Sequence, residues 1–64
     1  MIVVHDGNNI FSAEDFYYNN KECYIKIFYS GDKHRLIQGV KCMFSYDSGV
    51  IKIDLHKAGE DEKT

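Results

Sequence analysis

Reactive side chains are few in this sequence: the cysteines Cys23 and Cys42, the histidines His5, His34 and His56, and the neighbourhood of His5, Asp6 and Ser12. Nucleophilic catalysis needs a hydroxyl or thiol held against a base that a third group orients. His5-Asp6 lies in a stretch that reads as a turn, and no nucleophile elbow surrounds Ser12. Zinc needs four ligands, and the spacing Cys-x18-Cys fits no ligand knuckle. The five glycines are scattered through turns and one strand, so no phosphate-cradling loop is present. A thin core also leaves little room to enclose a substrate. The expectation is a protein that is not an enzyme and has no cofactor and no metal.

The elements that hold these residues are mainly β. Met1 to His5 reads as a short strand, and Asp6-Gly7-Asn8-Asn9 as a turn tolerant of positive φ. Phe11 to Phe16 reads as the start of a short helix. Ser12 would be its N-cap, Glu14 and Asp15 its first-turn acids, and Phe11 with Phe16 its hydrophobic staple. The competing reading makes Phe16-Tyr17-Tyr18 a strand that turns at Asn19-Asn20.

From Cys23 onward the apolar residues alternate. Cys23, Ile25, Ile27 and Tyr29 form one set, Leu36 to Tyr46 in steps of two a second, and Ile51, Ile53 and Leu55 a third. Two-residue loops at Asp32-Lys33 and Ser48-Gly49 fold these into an antiparallel meander. The first loop sets Ile25 against Val40 and Cys23 against Cys42; the second sets Tyr46 against Ile51 and Phe44 against Ile53. Register is strongly specified wherever one face is buried. The two cysteines are read as buried, reduced thiols that behave as small hydrophobes. Gly39, mid-strand, marks a bulge or bend. The fold class is therefore mainly β (small α+β), a three-stranded antiparallel meander, curled or partly barrel-like, with a short N-terminal strand and one short helix. The run Leu36 to Phe44 resembles the bent central strand of SH3-like and Sm-like barrels. The resemblance covers that stretch alone, lacks the second signature stretch of the Sm family, and implies no function.

At 64 residues the chain makes a single domain, read as residues 1–57 followed by a disordered acidic tail at 58–64. Residues 1–57 carry seven Lys or Arg and seven Asp or Glu, so the net charge of −2 comes from the tail. With 44% hydrophobic residues the chain is too apolar for disorder. No signal peptide or membrane span is read, and the expected location is cytoplasmic.

The outer face of the meander carries Tyr24, Lys26, Phe28, Ile37, Lys41 and Met43. Its predicted cross-strand neighbours are Tyr24 with Lys41, Lys41 with His56, and Phe28 with Ile37. Aromatic anchors rimmed by lysines suit a protein interface. The expected function is a small non-enzymatic protein-binding module, an inhibitor or adaptor of a cellular protein, or a homo-oligomer. Its size suits the inhibitors that phages and other mobile elements encode. The expected contact residues are Tyr17, Tyr18, Tyr24, Lys26, Phe28, Lys41 and Met43. A nucleic-acid-binding small β-barrel is the alternative, disfavoured by the neutral body and acidic tail. An oligomeric protein that binds a small ligand is a further one. No membrane partner is expected.

Overall fold

Alternating apolar residues, glycine turns and the absence of proline give seven β-strands in a computed structural model that describes residues 1–59. They are β1 (Ile2–Asp6), β2 (Asn9–Ala13), β3 (Asp15–Asn19), β4 (Tyr24–Phe28), β5 (His34–Gln38), β6 (Val40–Asp47) and β7 (Val50–Lys57). They form a four-stranded sheet in the order β2-β1-β7-β6 and a three-stranded sheet in the order β3-β4-β5, with no closed barrel. β1 lies in the middle of the larger sheet, antiparallel to β2 and parallel to β7.

The sheets share one core. Val4 and Ile53 from the larger sheet and Ile25 and Ile27 from the smaller are fully buried, with Val40 and Leu55 nearly so. Fully burying each isoleucine contributes about 2 kcal/mol. Phe11, Ala13, Phe16, Tyr18, Ile37, Cys42 and Ile51 pack around them.

The turns set the registers. Ser48 and Gly49 both have positive φ, 53° and 81°, the two-residue geometry whose twist matches paired strands. That loop pairs Tyr46 with Ile51, Phe44 with Ile53, Cys42 with Leu55 and Lys41 with His56, as the alternation predicts. The β4–β5 hairpin departs from expectation. Its strands join at Tyr29, whose N–H donates to the Lys33 carbonyl at 2.9 Å, around the three residues Ser30, Gly31 and Asp32. Gly31, the middle residue of the loop, has φ 77°, a left-handed backbone that glycine adopts without strain. The register is thus Ile25 with Ile37 and Lys26 with Leu36, not Ile25 with Val40. This slip of an odd number of residues turns Leu36 outward and Ile37 inward.

The expected meander is also broken. Its middle strand divides at Gly39 into β5 and β6, which belong to different sheets. Gly39, at φ 74°, and Val40 both donate to the Cys23 carbonyl, at 2.7 and 3.0 Å. Two residues facing one, with a left-handed glycine first, make a β-bulge. The bend expected at Gly39 is therefore present.

The expected helix at Phe11 to Phe16 is not formed, and the described residues contain no helix. Phe11 belongs to β2 and pairs with Val4, while Phe16 belongs to β3 and pairs with Ile27. Tertiary pairing outweighs the capping signal because two helical turns are marginal alone. The competing strand reading of Phe16-Tyr17-Tyr18 matches β3. The expected acidic tail falls mainly on residues 60–64, outside the described residues. At Ala58 the N–H donates to the Gly39 carbonyl at 2.9 Å.

Candidate functional site

The outer face of the three-stranded sheet is built from the outward residues of β3, β4 and β5. The register places Tyr17, Lys26 and Leu36 in one cross-strand row, with Asp15, Phe28 and His34 in the row on one side and Asn19, Tyr24 and Gln38 in the row on the other. Aromatic rings meet across the rows. Tyr17 and Tyr24 lie 6.1 Å apart between ring centres, and Phe28 and His34 6.2 Å. The Lys26 ammonium stands 5.9 Å from the centre of the Phe28 ring, within cation–π range. Tyr17 is 54% exposed and Leu36 47%, so apolar surface on both sides of Lys26 meets solvent. Beside them Glu22, Tyr24, Lys26, Leu36, Gln38 and Gly39 line an open hollow of ≈ 520 Å³.

Four of the seven expected contact residues share this face: Tyr17, Tyr24, Lys26 and Phe28. The other three do not. Tyr18 lies on the opposite, inward face of β3, packed against the core. Its hydroxyl donates to Asn20 Oδ1 at 3.0 Å and accepts the Cys42 N–H at 3.2 Å. Lys41 and Met43 are on β6, in the other sheet, where they face His56 and Asp54. The Lys41 ammonium donates to the carbonyl and Oδ1 of Asn20, at 3.2 and 3.1 Å, tying β6 to the β3–β4 loop. The expected neighbours Tyr24 with Lys41 and Phe28 with Ile37 are replaced by Tyr24 with Gln38 and Phe28 with His34.

Asp15, Asn19, His34, Leu36 and Gln38 are the members that sequence reasoning missed, Leu36 being the apolar one. The signal was available in Gly31. A three-residue loop centred on Gly31 pairs residues whose numbers sum to 62, which sends Leu36 to the outer face.

The cysteines do not face one another. Cys42 pairs with Leu55, whereas Cys23 precedes β4 with its carbonyl on the Gly39 bulge; both are free thiols. Burial pushes the Cys42 thiol up from 9.0 to about 11, so it stays protonated and a poor nucleophile at neutral pH. Because the folded state holds this proton more tightly than the unfolded chain, the associated stability is complete below pH 9 and is lost as pH rises towards 11. Among the described residues no three His, Cys, Asp or Glu side chains converge as a metal site would require. Nor is any helix there long and apolar enough to cross a membrane.

No protein-family model, curated protein or solved structure matches this chain.

Proposed function

We propose that the protein is a small non-enzymatic protein-binding module that contacts its partner through the outer face of the three-stranded sheet. The observation that carries this reading is the row Tyr17, Lys26, Leu36, in which one lysine stands between two residues whose side chains are half exposed. Tyr24 and Phe28 extend the apolar surface on either side of the row. Interfaces concentrate their energy in such aromatic anchors, surrounded by contacts that exclude water. The complementary partner is a protein segment with apolar side chains and a carboxylate within reach of Lys26. The nucleic-acid reading draws no support from the arrangement, because its lysines are divided. Lys26 lies over Phe28, Lys41 is bonded to Asn20, and Lys52 is 3.9 Å from Asp54.

The test is affinity capture from native lysate with three baits: the wild-type chain, Leu36→Asp, and Met43→Ser as a control on the other sheet. A specific protein should be retained by the wild type and the control and lost with Leu36→Asp. Once it is identified, Tyr24→Ala or Phe28→Ala should weaken binding by about 2 kcal/mol while the far-ultraviolet spectrum stays that of the folded chain. Retention of the same proteins by Leu36→Asp would refute the proposal.

A further inference from the structure

Hydrogen bonds at both ends of β5 decide which of its backbone groups are spoken for. The Tyr29 N–H donates to the Lys33 carbonyl and the Gly39 N–H to the Cys23 carbonyl, so Tyr29 with Lys33 and Cys23 with Gly39 are bonded pairs that flank the β4–β5 ladder. Bonded and unbonded pairs alternate in an antiparallel ladder, and both ends give the same phase. Arg35 and Ile37 therefore bond to β4. The N–H and C=O of His34, Leu36 and Gln38 point away from it, at the edge of the three-stranded sheet. None of these three N–H groups has an acceptor among the described residues.

The other edges differ. At the start of β6 the Val40 and Cys42 N–H groups go to the Cys23 carbonyl and the Tyr18 hydroxyl, and on β3 the Phe16 N–H goes to Asp15 Oδ1. β2 carries no charged residue. On β5 the basic residues Lys33, His34 and Arg35 follow one another, all exposed, with Asp32 of the turn as the nearest acid in sequence. Neither Lys33 nor Arg35 has a hydrogen-bond or ion-pair partner among the described residues. At the far end of the strand Leu36, Gln38 and Gly39 form one wall of the ≈ 520 Å³ hollow, whose acid is Glu22. A free edge that is basic at one end and hollowed at the other matches a strand with carboxylates towards Lys33 and Arg35 and apolar side chains towards Gln38.

We infer that an extended acidic segment of the partner protein adds to β5 as a further, antiparallel strand. This rests on the binding reading proposed above and names the form that the partner takes. Strand addition draws affinity from main-chain hydrogen bonds and specificity from alternate side chains. The antiparallel direction extends a sheet that is antiparallel throughout, and it bonds slightly better per residue than the parallel one. In that pairing the residues opposite His34, Leu36 and Gln38 exchange both hydrogen bonds with them, which satisfies all three free N–H groups. Their side chains lie on the outer face, beside Leu36 and the hollow. The residues between them lie on the other face. There one carboxylate meets the Arg35 guanidinium, and a second, two residues on, meets the Lys33 ammonium. At an exposed edge these charges set register and direction more than they add affinity.

The experiment is a titration of the full, isotope-labelled chain with the peptide acetyl-Leu-Thr-Leu-Glu-Val-Glu-amide, followed by amide chemical shifts. Set antiparallel, its leucines and valine face Gln38, Leu36 and His34, and its glutamates face Arg35 and Lys33. The His34, Leu36 and Gln38 amide signals should shift most. N-methylation of the second leucine removes a bond to β5 and should weaken binding about tenfold or more. N-methylation of the glutamate after it alters an N–H that points away from β5, and should leave binding unchanged. Lys33→Glu/Arg35→Glu should weaken the peptide about tenfold and bind instead the peptide with lysine in place of both glutamates. No shift at millimolar peptide overturns the inference, as do equal effects of the two N-methyl groups or indifference to the charge reversal. Binding that emerges only once residues 60–64 are removed also overturns it, because the acids of that segment would then be the occupant of the edge. In the capture experiment Leu36→Asp tests the face, and Lys33→Glu/Arg35→Glu as a further bait tests the edge. A protein lost with the first and kept undiminished with the second overturns strand addition and leaves the face reading standing.

Discussion

The chain leaves one sheet for the other at Glu14 and again at Gly39, and at both corners successive inward residues stand three apart. They are Ala13 and Phe16 at the first, and Ile37 and Val40 at the second. One extra residue resets the two-residue alternation each time, as a strand must when its inward face changes sheet. The means differ. Gly39 is left-handed and sends its own N–H and that of Val40 to one carbonyl. Glu14 has ordinary φ and a single N–H bond, to the Phe28 carbonyl at 2.8 Å. A corner thus needs an extra residue, while a glycine is needed only where that residue is also a left-handed bulge.

Gly39→Val gives the comparison its hardest test. A Cβ at position 39 would meet nothing within 4 Å, so the main effect comes from forcing an L-residue to φ 74°. Left-handed backbone costs non-glycine residues about 2 kcal/mol, and β-branched ones most. Urea unfolding should show a loss of about that size with an unchanged slope. A loss below about 0.5 kcal/mol would mean that the corner does not depend on the left-handed bulge.

The seam between β3 and β6, the strands that begin at these corners, should respond less. There Phe16 stacks on Phe44 at 5.4 Å, Tyr18 lies 5.5 Å from Phe44, and the Tyr18 hydroxyl accepts the Cys42 N–H. Tyr18→Phe keeps the ring and leaves that N–H without an acceptor, which should cost about 1 kcal/mol. A neutral result would show that the seam is held by ring packing alone.

The same corners explain what could be read from the sequence. The β6–β7 hairpin is legible because Ser48-Gly49 fixes its loop length and no corner interrupts either strand. From Leu36 to Tyr46 the alternation looks continuous, since Leu36, Gln38 and Val40 keep a spacing of two across Gly39. The reset hidden there sends Leu36 outward and Val40 inward, so reading through it misplaces the β4–β5 register. At the other corner the three-residue spacing from Ala13 to Phe16 imitates a helix, and Ser12 with two following acids imitates its cap. On the candidate face, Tyr24, Lys26 and Phe28 of β4 were legible from alternation, whereas on β3 the adjacent Tyr17 and Tyr18, which point to opposite faces, could not be told apart while the segment before them read as a helix. Leu36 needed the three-residue loop length, and Lys41 lies on the other sheet, which is invisible in local pattern.

Glu14→Gly is the mirror experiment and should have the smallest effect. If the first corner uses ordinary backbone, added conformational freedom brings it nothing. The substitution then acts on the unfolded chain, which gains conformations that folding must give up, at a cost of about 0.5 kcal/mol. The N–H bond to Phe28 survives, because glycine keeps that donor. If Glu14 were instead held in strain, glycine would relieve it and the protein would gain stability. The sign of this small change therefore separates the two kinds of corner more cleanly than its size, and matched denaturation curves of Glu14→Gly and Glu14→Ala resolve it. Alanine shares ordinary φ with glutamate and should leave the midpoint close to wild type.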